Sequence, residues 1–224
     1  MVPKYITTKS YKDLEDLMKK LLMITLVALL PISSYALFEA RITYGPYLTS
    51  GDPVSDICSG NASCTGTLPS KLPLPFTGAD VLVKLPLIPI GFGLRYEKLS
   101  ASGSSSNMEA TATFNRTAVL INYRLIDTII SVGPIFSYGL THSGSLSMKQ
   151  NGSKILDYSA SSGESYSLGI EAGIKPLIVI PIKIGAEAGI TQFKYKNVTD
   201  SLGSAPKDIN LGGNYIKVFL GLDL

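Results

Sequence analysis

The chain has 224 residues, 45% of them hydrophobic and 17% charged, with a formal net charge of +3. That apolar content excludes a disordered chain. One histidine and two cysteines are too few ligands for a zinc site, and a small basic excess without a basic cluster leaves no nucleic-acid footprint.

Lys19 and Lys20 precede an apolar run from Leu21 to Leu30, followed by Pro31 and then Ser34-Tyr35-Ala36. A positive start, a short apolar stretch and a small-x-small cleavage site make a secretory signal. The run is too short for a membrane-spanning helix, which takes about 20 residues. Met18 is the expected true start, with residues 1–17 an added extension and cleavage after Ala36. The domain to be explained is therefore 37–224. It carries 15 basic residues (20 − 5) and 14 acidic ones (17 − 3), so no strong overall field steers a partner.

Beyond the signal, the pattern has period two, the mark of strands with two unlike faces. Eight segments show it: 38–48, 78–87, 90–100, 110–126, 128–142, 164–176, 181–196 and 214–224. In the fourth, Thr117, Val119, Ile121, Tyr123 and Leu125 share one face and Arg116, Ala118, Leu120, Asn122 and Arg124 the other. In the fifth, Ile130, Val132, Pro134, Phe136 and Tyr138 oppose Ser131, Gly133, Ile135, Ser137 and Gly139. The polar faces are rich in Gly, Ser and Ala mixed with opposite charges, as a narrow barrel interior requires. The apolar faces then meet lipid, and Val132 is expected near mid-membrane. The connections alternate: three short ones, near 87–89, 126–127 and 177–180, and four long ones, 49–77, 101–109, 143–163 and 197–213. Short turns on one side and long loops on the other, with an even strand count, describe an all-β, eight-stranded antiparallel up-and-down transmembrane β-barrel.

In these features the chain resembles the small eight-stranded outer-membrane β-barrel proteins of Gram-negative bacteria. The resemblance covers essentially all of 37–224 and lies in pattern rather than in a diagnostic motif. It departs in ending on Leu224 rather than an aromatic residue, and in the apolar turns Pro86-Leu87-Ile88-Pro89 and Pro176 to Pro181. It implies a location in the bacterial outer membrane, with lipid, lipopolysaccharide and the barrel-assembly machinery as partners. A monomer without cofactor or metal is expected.

By parity the inward charges are Glu39, Arg41, Asp80, Lys84, Arg95, Glu97, Arg116, Arg124, Glu171, Lys175, Lys183, Glu187, Lys217 and Asp223. Buried charges are costly unless paired, so near-balance predicts an ion-pair network that fills the lumen. The expected role is structural or surface-interacting. The alternatives are a narrow channel and a lipid A-modifying surface enzyme. For the enzyme, His142 is the only histidine, but Gly144 stands two residues on, where the resemblance to lipid A-modifying barrels implies a serine, and Glu164 is only a loose candidate for the orienting carboxylate. A solvated histidine at a strand end is expected instead. Cys58 and Cys64 fall in the first long loop and are expected to form a disulfide, which an oxidising compartment permits. The low-complexity segment Ser100 to Asn107 reads as a flexible loop tip.

Overall fold

The computed structural model describes residues 38–50, 73–85, 88–105, 107–176, 181–201 and 207–223. The signal segment and the Cys58–Cys64 pair lie outside the described residues. Eleven strands are described: β1 (Phe38–Thr49), β2 (Pro73–Lys84), β3 (Ile90–Ser105), β4 (Met108–Tyr123), β5 (Ile126–Asp127), β6 (Ile130–Gln150), β7 (Ser153–Ala160), β8 (Ser162–Ile174), β9 (Ile182–Asp200), β10 (Lys207–Asn210) and β11 (Gly213–Asp223).

The sheet closes on itself. Antiparallel ladders run β1–β2–β3–β4–β6–β8–β9–β11 and back to β1. These eight strands form the ring. Short β5 pairs β6 at a turn, while β7 pairs β6 and β9 and β10 pairs β9 beyond the ring. Closure leaves no unpaired backbone edge around the ring, the condition for crossing lipid with strands.

The outer surface is apolar. Ile42, Val81, Leu94, Ile121, Ile170, Ile190, Ile216, Val218 and Leu220 all point outward and are exposed. Tyr44, Tyr96, Tyr138 and Tyr166 bound this belt on one side. Phe38 and Phe92, which flank Val83 across the sheet, lie toward the other. From Ile174 to Tyr166, at about 3.4 Å per residue and a tilt of about 40°, the belt rises roughly 21 Å. That is close to the apolar band of about 25 Å expected of a barrel in lipid.

Beyond the tyrosines the polarity of the wall inverts. Thr111, Ser143, Ser145, Ser159, Glu164 and Gln192 now face outward and are exposed. Inward at this level lie Phe76, Leu99, Phe114, Leu146, Met148, Leu156, Tyr158, Phe193, Tyr195, Val198 and Ile209, one buried apolar cluster. The strands therefore leave the lipid and continue as a water-surrounded barrel with an apolar centre. Three segments expected as long loops are in large part strand: β3 and β4 pair out to Ser105↔Met108, β6 and β7 to Gln150↔Ser153, and β9 runs to Asp200. The small polar residues Ser100 to Ser105 form ladder pairs with β4 rather than a loop tip.

Val132 is outward-facing as expected but sits opposite Ile126 of the short β5. It therefore lies at the turn-side margin of the belt, not at its middle.

Candidate functional site: the charged lumen

The ladder register places opposite charges side by side on the inner face. Arg41 faces Asp80, Asp80 faces Arg95, Glu97 faces Arg116 and Lys217 faces Glu187. Such cross-strand partners have β-carbons about 5 Å apart, within reach of a salt bridge. Twelve of the fourteen residues expected to line the lumen are buried; Lys84 and Lys175 are half-buried at the turn side.

They form two groups. Toward the turns, Arg41 Nε lies 2.7 Å from Glu39 Oε1 and its Nη1 2.6 Å from Glu171 Oε2. Arg124 bonds Glu39 and reaches Glu171 at 3.3 Å and Asp127 at 3.1 Å. Lys84 and Lys175 each hold one oxygen of Asp223, at 2.6 and 2.7 Å. Asn122 donates to Glu171 at 3.0 Å. Lys183 stands 3.5 Å from Glu39 and 5.6 Å from the centre of the Phe219 ring.

Toward the apolar cluster, Arg95 is held on both sides. Its Nε and Nη2 donate to the two oxygens of Asp80 at 2.8 Å each. Its Nη1 and Nη2 donate to Glu187 at 2.9 and 2.7 Å. Arg116 bonds Glu97 and donates to Ser167 at 2.6 Å. Lys217 donates to Glu97 at 2.6 Å and lies over the rings of Phe76 and Tyr215. Tyr215 donates to Glu187 at 2.7 Å. Bidentate arginine–carboxylate pairs are the geometry that best offsets the cost of removing both charges from water.

Glu171 and Glu187 are direct ladder partners, both inward. Like charges so placed repel, yet each is drawn into a different group of cations. The turn-side group holds four carboxylates against five cations, and the other holds three against three.

Parity reasoning missed several interior residues. Asp127 belongs to the network although it sits at a turn; its position three after Arg124 was the available signal. Tyr47, which shares the parity of Glu39 and Arg41, was also missed, whereas alternation puts Tyr215 and Phe219 on the inner face beside Lys217, where they are buried. The clearest miss is His142. It is buried, not solvated, and its Nε2 lies 2.8 Å from Ser165 Oγ. The cause is a bulge: Thr117 pairs Thr141 but Ala118 pairs Gly139. The extra residue reverses the phase of β6, so that residues 142, 146 and 148 face inward where 140 faced out.

A closed antiparallel barrel with an apolar outer belt, an aromatic rim and a polar interior is the fold of the small outer-membrane β-barrel proteins. Among solved structures, the chain resembles the attachment invasion locus protein Ail of Yersinia pestis bound to the heparin analogue sucrose octasulfate. The identity is 11%, the match covers 83% of this chain and 97% of that one, and the TM-score is 0.50. A major outer membrane protein of Thermus thermophilus matches at 9% identity over 83% and 98% of the two chains, with a TM-score of 0.49. Neisserial surface protein A matches at 11% over 84% and 97%, with a TM-score of 0.46. No protein-family model matches the chain, and no curated protein does. At these identities the likeness is one of fold.

Proposed function

We propose that this protein is a plugged barrel of the bacterial outer membrane whose role is structural or surface-interacting, without chemistry of its own. The observation that carries the reading is what occupies the interior: two groups of buried ion pairs and, beyond them, the apolar cluster around Phe114, Met148 and Tyr195. An eight-stranded barrel has an interior just wide enough for side chains, and unpairing these charges to admit a solute costs several kcal/mol.

On this reading residues 1–36 are a signal peptide with an added extension, and 37–224 reach the membrane through the barrel-assembly machinery. The tyrosine rim and the polar wall above it meet lipopolysaccharide. The barrel acts as a monomer, and Cys58 and Cys64 form a disulfide. The polar outer extension is the surface offered to partners. Its described side chains include Lys98, Lys149, Lys194 and Lys196 alongside Glu109, Asp157, Glu164 and Asp208. That mixture favours no one sign of ligand charge, so the sulfated ligand seen with Ail is not carried over.

The test is planar-bilayer recording of the purified barrel at moderate voltage. Brief small events at most are expected. Long-lived stepwise openings that pass sugars would overturn the plugged reading and support the narrow channel. Loss of lipid A acyl groups on expression would support the enzyme, for which, among the described residues, the buried His142–Ser165 contact speaks.

A further inference from the structure

His142 is placed in a built site. Outward residues at its level, Thr141, Ser143 and Glu164, are exposed and polar, so the site lies above the apolar belt, outside the membrane-spanning part of β6. Phe193 and Tyr195 of β9 stand nearly perpendicular to the imidazole, with centroids 5.6 and 6.2 Å away. Gly139 and Gly163 leave the room it occupies: a β-carbon on Gly139 would overlap Ser165 Oγ and His142 Nε2, and one on Gly163 would stand 3.2 Å from the His142 side chain.

The site joins the two halves of the interior. Across the ladder from His142 is Arg116 on β4, itself bonded to Glu97 of β3. Beside it, Tyr195 closes the apolar cluster, and its one hydroxyl proton is shared between the carbonyls of Asn115 and Ser143 at 3.1 and 2.9 Å, tying β4, β6 and β9 together.

We propose that His142 is a pH-sensitive latch that holds the outer extension of the barrel closed while it is neutral and loosens it when protonated, leaving the membrane-level barrel intact. A protonated ring has two N–H donors and no acceptor. It would place a second buried cation beside Arg116, where like charges disfavour it. The charged groups around it are few. Arg116 faces it from β4, with Glu97 neutralising that guanidinium from behind. Glu164 on β8 points outward toward Lys196. β9 contributes only the neutral phenol of Tyr195. No carboxylate among the described residues touches the ring. Burial first, and Arg116 second, hold the imidazole below its ordinary value, with Glu164 pulling weakly the other way.

The sign follows by linkage. A group favoured neutral in the closed form contributes its full stability above its ordinary value near 6.5, and that stability is lost as pH falls through the lowered one. Histidine is the side chain that ordinarily changes charge between about pH 5 and 8.

Because the chain has one histidine, its imidazole NMR signals report this site alone. In the folded wild-type barrel in lipid nanodiscs they should titrate below the ordinary range. Hydrogen exchange then reads the latch. At about pH 5.5, segments 143–160 and 193–200 should exchange severalfold faster in wild type than in His142→Gln, with no difference at about pH 7.5. The membrane-level halves of β1, β8 and β11 should match at both values. Comparing variants at one pH cancels the intrinsic pH dependence of exchange. If His142→Gln does not fold, Ser165→Ala against wild type and the imidazole titration still decide the matter. An imidazole that titrates as an exposed one does, or an exchange ratio that does not change with pH, would overturn the latch.

Discussion

Arg95→Met tests the energetics of the lumen most directly. Arg95 is almost fully buried and makes four charge-assisted hydrogen bonds, two to Asp80 and two to Glu187. Methionine keeps much of the volume and removes the charge. Glu187 would retain Tyr215 at 2.7 Å and Lys217 at 3.5 Å. Among the described residues Asp80 has no other ion pair within 4 Å, so it is left a buried carboxylate with only Arg41 facing it across the ladder. Removing one partner of a buried pair costs about 3–5 kcal/mol, and the lower part of that range is expected here. Asp80→Asn combined with Arg95→Met removes the orphan charge and should recover at least half of the loss. The chain has no tryptophan, so unfolding in urea is best followed in lipid vesicles by the gel mobility of unheated samples, in which a folded barrel migrates apart from the unfolded chain. A single variant within about 0.5 kcal/mol of wild type, the ordinary range for surface changes, would refute the reasoning. It would mean that water reaches Asp80 and that the interior is not a dry plug.

Ile170 lies mid-belt between Tyr166 and Ile174, so Ile170→Arg should cost about 2–4 kcal/mol, whereas Val132→Arg near the turn should cost about 0–1 kcal/mol; the same urea series ranks them. Phe114→Ala opens the apolar cluster, where Phe114 meets Tyr195 at 5.1 Å. It should cost about 3–5 kcal/mol, seen as faster hydrogen exchange in β6, β7 and β9 beyond the tyrosines. Asn151 and Gly152 form the two-residue turn between Gln150 and Ser153 with φ of 52° and 79°. Gly152→Val should fray this hairpin, since a β-branched residue there pays at least about 1–2 kcal/mol; exchange at Lys149 to Ile155 should rise while gel mobility holds.

The ring of eight strands was legible because lipid and lumen impose opposite demands on alternate residues, and the contrast is steep where Ile, Val and Leu alternate with Arg, Glu and Gly. Which residues face inward at membrane level was legible for the same reason. Which charge pairs with which was not: parity says that Arg95 and Glu187 both point in, but only the register and stagger of strands far apart in sequence bring them together. The outer extension was illegible because its contrast is shallow. Ala110, Ala112 and Gly144 face a centre that Phe114 and Tyr195 mostly fill, while Thr, Ser and Asn face water. His142 was lost to a single bulged residue, which no alternation count registers.

The inversion of the wall at the tyrosines also fixes how deep the molecule rides. A uniform barrel could sink or rise in the bilayer with little resistance. Here a downward step of two residues would carry Glu164, Ser143 and Asn115 into hydrocarbon, and an upward step would lift a ring of Ile, Leu and Val into the headgroups at roughly 25 cal/mol per Å². Both directions are uphill, so the protein has a waterline set by its own sequence. The height of the outer extension above the membrane is then as much a determined quantity as any bond in the lumen.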